Sequence, residues 1–211
     1  MDVVVTGLLG AAMEGDVVKR VTVLMAVYNP PLGMLDKAID SILGQSYREF
    51  EFLILDDGST QEGMRAHLQR RAGEDPRIRV AWEPHRGLTR SLNRGLALAE
   101  GEWIARQDAD DWSSPERLER QLAFVERHPE VGLCGSNAVT HQQNGTGLWA
   151  TNLPRTREDL LQAFPRSNPF VHGSVLFRKD VAVAVGGYRE VFPCSQDYDL
   201  FWRMTEQCDA A

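Results

Sequence analysis

The chain has 211 residues, of which 43% are apolar and 25% charged; this is an ordinary globular composition, and it excludes low-complexity and repeat classes. A net charge of −7 argues against a general nucleic-acid binder, although residues 65–94 concentrate eight arginines against three acids. Three cysteines, Cys134, Cys194 and Cys208, are odd in number and lack metal-ligand spacing, which fits reduced cytosolic thiols rather than a disulfide framework or a zinc site.

Residues 1–19 carry Asp2 and Glu14 and have no basic start ahead of a long apolar core, so they are read as a flexible extension, neither signal peptide nor membrane span. Arg20–Val27 is a continuous β-rich apolar run, typical of a strand covered on both faces, and Tyr28-Asn29-Pro30-Pro31 forces a turn after it. Leu35, Ala38, Ile39, Ile42 and Leu43 then fall at helical spacing up to Gly44. Phe50–Leu55 is a second apolar strand, running into Asp56-Asp57-Gly58-Ser59. A polar helix over 61–72, a strand over Ile78–Trp82, a helix carrying Leu88, Leu92, Leu96 and Ala99, and a strand over 102–107 follow. Strands alternating with helices predict an α/β fold with a mostly parallel sheet, whose ligands gather at the carboxyl ends of the strands. Asn29, Asp57 and Asp108 all lie at such ends.

Beyond that point the pattern predicts a helix through Leu118, Leu122 and Val125, ended by His128-Pro129, and one strand over Val131–Thr140. Residues 141–152 read as turn-rich, 156–164 as helix, Gly173–Arg178 as a short strand, and a last helix starts near Ser195-Gln196-Asp197 with Leu200, Phe201 and Met204 inward. The chain ends directly after this helical pattern without the usual cap and turn residues, so the expectation is that part of the domain is missing.

The strand over 102–107 stops in three carboxylates within four positions, Asp108, Asp110 and Asp111. Like charges this close repel unless something positive sits among them, which points to a divalent cation and an anionic ligand. A solvated turn is the plain alternative. An EF-hand fails on geometry, because Trp112 takes loop position 5 and Ser113 the position that requires glycine. Asp111 has its own use ahead of a helix expected to start at Ser113-Ser114-Pro115-Glu116, where acids favour the helix dipole, leaving Asp108 and Asp110 for chemistry. No G-x-G-x-x-G follows the first strand and no G-x-x-x-x-G-K-[ST] occurs, so bound phosphates would be held by a metal.

These segments resemble the family 2 glycosyltransferases of the GT-A fold, which move sugar from a nucleotide-sugar donor. The likeness spans about residues 20–206 and runs in the family's order: VTVLMAVYN (21–29), SILGQSY (41–47), FLILDDGST (52–60), GLTRSLNRGLALAEGEWIARQDADD (87–111), PERLERQ (115–121), HGSVLFRKD (172–180), VGGYRE (185–190) and SQDYDLFWRM (195–204). The resemblance implies a single domain over 20–211, with 20–112 as the nucleotide-binding half and 113–211 as the acceptor and catalytic half. Ala26 and Asn29 would line the nucleotide pocket and Asp57 would meet base or ribose, while Asp56 is read as a cap of the following helix. Asp108 and Asp110 match the D-x-D motif, the first facing the ribose and the second reaching a Mg²⁺ or Mn²⁺ that bridges the phosphates. Asp197 matches the catalytic acid of the [EQ]-D motif, with Gln196 where many relatives have Glu.

Bottom-up chemistry agrees: breaking a sugar C1–phosphate bond builds negative charge on the diphosphate, and one carboxylate base with a single displacement means inversion at C1. Arg86 and Arg90 could touch phosphate or base, His172 the metal or acceptor, Trp112 and Tyr188 the sugar, and Arg178 a phosphate, each against a plainer surface or core role. The implied partners are a nucleotide-sugar donor, UDP first, and a glycan or lipid-linked acceptor, with a cytoplasmic location that leaves peripheral membrane attachment open and a role in surface polysaccharide. The rivals are a sugar-phosphate nucleotidylyltransferase and a non-catalytic nucleotide-sugar-binding domain.

Overall fold

The structure is a computed structural model describing residues 20–141 and 148–211. In chain order the elements are β1 (Val21–Val27), α1 (Leu32–Leu43), β2 (Phe50–Asp57), α2 (Met64–Glu74), β3 (Ile78–Glu83), α3 (Leu88–Leu98), β4 (Trp103–Gln107), α4 (Arg117–Arg127), β5 (Val131–Cys134), β6 (Val139–His141), β7 (Leu148–Ala150) and α5 (Arg157–Ala163). A short 3₁₀ turn (His172–Ser174), β8 (Leu176–Arg178), α6 (Lys179–Ala184), α7 (Gln196–Thr205) and β9 (Asp209–Ala210) complete the chain. The main sheet has seven strands in the order β3-β2-β1-β4-β8-β5-β9.

Alternation along the apolar strands divides the core into two layers, one on each side of the sheet. Val21, Val23, Met25 and Val27 point to one face and pack against Leu35, Ile39 and Ile42 of α1, Leu68 of α2 and Leu118, Leu122 and Val125 of α4. Leu24, Leu53 and Ile104 point to the other, against Leu92 and Leu96 of α3 and Leu200, Phe201 and Met204 of α7. Each such fully buried side chain contributes about 1.5–3 kcal/mol, so the periodicity that forms the helices also seats them.

Register brings the strand ends together. Val21 lies opposite both Phe50 and Trp103, and Met25 opposite both Ile54 and Gln107, so β1, β2 and β4 finish at one rim. The entry to β4 is set by Gly101, whose N–H donates to Thr22 Oγ1 at 2.9 Å. A Cβ there would stand 2.4 Å from the Thr22 backbone nitrogen, so only glycine fits. β8 runs antiparallel between β4 and β5, pairing Ile104 with Phe177 and Ala105 with Leu176. The start of β8 therefore meets the end of β4, and the Arg106 N–H donates to Val175 O at 2.9 Å. This inversion delivers the His172–Ser174 turn to the acidic rim.

Several expectations need correction. The single strand expected over Val131–Thr140 breaks after Cys134, and Val139–His141 pairs instead with β7 in a separate two-stranded sheet. The break falls at Gly135, which packs so close to Phe170 that a Cβ there would lie 2.7 Å from Phe170 Cδ1. Residues 148–150 are strand rather than turn, while 142–147 lie outside the described residues, as does the extension over 1–19. Of the expected strand 173–178, only Leu176–Arg178 pairs as strand, the 3₁₀ turn taking His172–Ser174. The helix placed at Ser113–Pro115 begins at Arg117. The chain does not stop on a helix, because β9 adds parallel to β5, a two-residue pairing that carries no local signal. Among the described residues no helix is long and apolar enough to cross a membrane.

Candidate active site

The rim is built from loops after β1, β2, β3 and β4, the 3₁₀ turn and the start of α7. Asn29 adopts a positive φ of 49° and is spent on the neighbouring loop: its Oδ1 accepts the N–H groups of Thr60 and Gln61 at 2.9 and 2.8 Å. Ala26, on β1, packs against the layer that holds α3 and α7. Asp57 is buried and accepts the N–H groups of Arg86 and Gly87, both at 2.9 Å, with His85 Nδ1 also at 2.9 Å. It thus anchors the β3–α3 loop. The Tyr28 ring stacks on His85 with centroids 3.9 Å apart, beside this anchor. Asp56 corrects its reading: it accepts the Ser59 N–H at 3.3 Å and closes the turn after β2, whereas α2 begins only at Met64, behind Gly63.

A cleft of about 380 Å³ opens against Asp57, lined by Glu83, Arg86, Arg90, Asn93 and Glu190 among others. Arg86 projects its side chain at this cleft's exposed edge. Arg90 is engaged with Glu190 at 2.8 Å. Arg178 pairs with Asp180 and lies opposite Trp103, at the far end of β4 from the acids, so a phosphate contact at the rim is excluded for it.

Sequence reasoning missed the two buried arginines that organise the acidic loop. Arg117 is fully enclosed: its guanidinium donates to Arg106 O at 2.7 Å, Val175 O at 3.1 Å, Gln107 Oε1 at 3.2 Å and Ser113 Oγ at 2.8 Å. Burial, with Arg106 beside it, lowers its pKa to about 10, still well above neutrality. Arg106 is 1% exposed and donates to Asp108 Oδ1 and Gln107 O. The signal available was a charged residue inside an otherwise buried strand, Ile104-Ala105-Arg106-Gln107.

Asp108 and Asp111 converge on Gly173, where a Cβ would meet their Oδ2 atoms at 2.8 and 3.1 Å. Asp111 is therefore part of the cluster and not merely a helix-start acid. Burial, then the charges of Asp108 and Asp110, push its carboxyl above the usual carboxylate range, against the pull of Arg106. Asp110 is exposed at the loop's tip. His172 Nε2 lies 3.0 Å from the Tyr188 hydroxyl, and burial, helped by Arg106 and opposed by Asp108, drives the imidazole down to about 3. It is neutral at any working pH, as a metal-ligating histidine must be. Tyr188 is 2% exposed and belongs to the core rather than to a sugar platform.

Hard carboxylate oxygens with one neutral imidazole suit Mg²⁺ or Mn²⁺ chemically. As placed, however, no three acidic, histidine or cysteine side chains among the described residues already surround a cation. Asp197 opens α7 behind Ser195 at φ 60° and accepts from Asn168 Nδ2 at 2.8 Å. Burial raises the Tyr188 hydroxyl's pKa, and the carboxylates of Asp197 and Asp108 raise it further. Phe201, one turn after Asp197 on α7, sets its ring edge-on to His172 at 6.0 Å between centroids, and Gly173 beside it abuts Asp108 and Asp111, so α7 and the acidic loop approach the same 3₁₀ turn.

Residues 22–186 match the sequence profile described as glycosyl transferase family 2. EpsE of Bacillus subtilis (strain 168), named as a glycosyltransferase, is 36% identical over 191 residues, covering 89% of this chain and 67% of EpsE. The amylovoran biosynthesis glycosyltransferase AmsE of Erwinia amylovora is 33% identical over 184 residues, covering 87% of this chain and 68% of AmsE. Among solved structures, a mannosyltransferase from Pyrobaculum calidifontis in complex with GDP-Man and Mn²⁺ superposes with a TM-score of 0.68 at 20% identity, covering 90% of this chain. This chain spans only 53% of that structure's length. With that profile match, these identities and the sheet order, the chain belongs to glycosyl transferase family 2 and is a glycosyltransferase of the GT-A fold.

Proposed function

We propose that the protein transfers a sugar from a nucleoside-diphosphate sugar to an acceptor hydroxyl with inversion at C1, and that Asp197 is the general base. The observation supporting this reading is that the His172–Ser174 turn touches both sides: Gly173 abuts Asp108 and Asp111, and His172 meets Phe201, one turn after Asp197 on α7. Asp197 Oδ2 is held by Asn168, leaving Oδ1 to take the acceptor's proton. Asp108, Asp110 and Asp111, with His172, are the groups that would hold Mg²⁺ or Mn²⁺. Such an ion, when bound, stabilises negative charge on the leaving diphosphate. Ala26 and the Asp57-anchored loop with Arg86 shape the nucleotide side, Asp108 serves the ribose, and Asn29 fixes the wall formed by residues 59–61.

UDP is the first choice of nucleotide and GDP or dTDP the second, GDP being the one bound, as GDP-Man, in the Pyrobaculum neighbour. The naming of AmsE as an amylovoran biosynthesis glycosyltransferase supports a part in polysaccharide biosynthesis, and a glycan or lipid-linked acceptor met on the cytoplasmic side completes the reading. The nucleotidylyltransferase reading is the weaker one, because Tyr28-Asn29-Pro30-Pro31 presents no basic glycine-rich loop after β1.

Turnover tests the proposal. UDP-, GDP- and dTDP-sugars are each incubated with the protein and Mn²⁺, and release of nucleoside diphosphate is followed. One donor is expected to turn over and the signal to vanish with EDTA; binding without turnover would favour the non-catalytic alternative.

A further inference from the structure

We propose that Arg106 is a positioning residue that serves as the acidic rim's internal counter-cation, holding Asp108 when no metal is bound and setting the balance between cation and diphosphate affinity. This deepens the metal-assisted reading above and rests on it. Three observations carry it. Arg106 is 1% exposed, whereas its partner Asp108 keeps 31% of its side chain open, so the pair spans core and rim. The Arg106 Nε is buried without a hydrogen-bond partner, and its neighbour on the same strand face, Ile104, packs in an apolar layer. A buried guanidinium left partly unsatisfied is a poor way to stabilise a strand, since an apolar residue would continue that face at no such cost. The Arg106 N–H also ties the end of β4 to Val175 O at 2.9 Å, the residue directly after the His172–Ser174 turn whose Gly173 abuts Asp108 and Asp111.

A fixed positive charge beneath the rim repels a divalent cation and attracts a diphosphate. The hydrogen bond from Arg106 occupies one lone pair of Asp108 Oδ1 and draws off part of the charge that oxygen could offer a metal. Removing the charge must therefore move the two affinities in opposite directions, whereas damage to the local structure would weaken both.

The test uses Arg106→Met and, to keep a hydrogen bond to Asp108 without the charge, Arg106→Gln. Mn²⁺ alone is titrated by the loss of free Mn²⁺ in electron paramagnetic resonance, and pyrophosphate alone by calorimetry. The expected result is about tenfold tighter Mn²⁺ and about tenfold weaker pyrophosphate in either variant that folds, the size expected for one charge several ångströms away under partial screening. Weaker binding of both probes, or no change in either, overturns the role of Arg106 while leaving the metal reading intact. Wild-type protein that binds no Mn²⁺ even with UDP or GDP present overturns the metal reading, and this proposal with it.

Discussion

Asp197→Asn is expected to lower glycosyl transfer by about 10² to 10⁴-fold while nucleotide-sugar binding stays largely intact. The amide preserves shape and can keep a hydrogen bond with Asn168, which in the native protein donates to Oδ2 at 2.8 Å. What it loses is the ability to take a proton. The loss should therefore fall on kcat, with little change in donor Kd measured by calorimetry. Retained turnover would remove Asp197 from the mechanism, and a collapse of donor affinity would make it a binding residue instead.

Arg117→Met is expected to cost about 3–5 kcal/mol of stability, read from denaturant unfolding. The methionine can fill much of the space of the arginine stem but removes one donor each from Arg106 O, Val175 O, Gln107 Oε1 and Ser113 Oγ, of which Val175 O keeps the Arg106 N–H and Gln107 Oε1 the Ser113 hydroxyl. Those four acceptors join the end of β4, the acidic loop and the start of β8. Unpinning them should also loosen Asp108 and Asp110, so activity should fall in the fraction that remains folded. A loss under about 1 kcal/mol would mean that water replaces the guanidinium and that Arg117 is not the hub of the loop.

The first half of the chain was legible because its signals are local. The β1 and β2 runs are buried on both faces and the α1 residues Leu35, Ala38, Ile39 and Ile42 form one stripe, so hydrophobic order alone specifies each element. The second half depends on contacts distant in sequence. β9 exists because Asp209 and Ala211 donate backbone N–H groups to Glu130 O and Leu133 O at 3.0 Å, and β5 ends where Phe170 crowds Gly135. Neither fact is written in the neighbouring residues.

The site divides the same way. Asp108, Asp110 and Asp197 were singled out from motif and position, and the structure adds that the 3₁₀ turn abutting Asp108 also meets α7 through His172 and Phe201. Asp56 and Asp57 are adjacent acids with different tasks, one closing a turn and the other anchoring the β3–α3 loop, and only the fold tells them apart. Asp111 looked like a helix-start acid until Gly173 brought the 3₁₀ turn against it. Arg106 and Arg117 were visible only as charges in apolar company. Their partners lie on β4, β8 and the acidic loop, so no spacing rule could have named their roles.

The most direct measurement of the central claim is the affinity of UDP, GDP and dTDP for the wild-type protein with and without Mn²⁺, by thermal shift and calorimetry. The account predicts that one nucleotide binds clearly, that Mn²⁺ strengthens it by about tenfold or more, and that Asp110→Ala removes most of that gain. Equal affinity with and without the metal for all three nucleotides, or no binding at all, would contradict it.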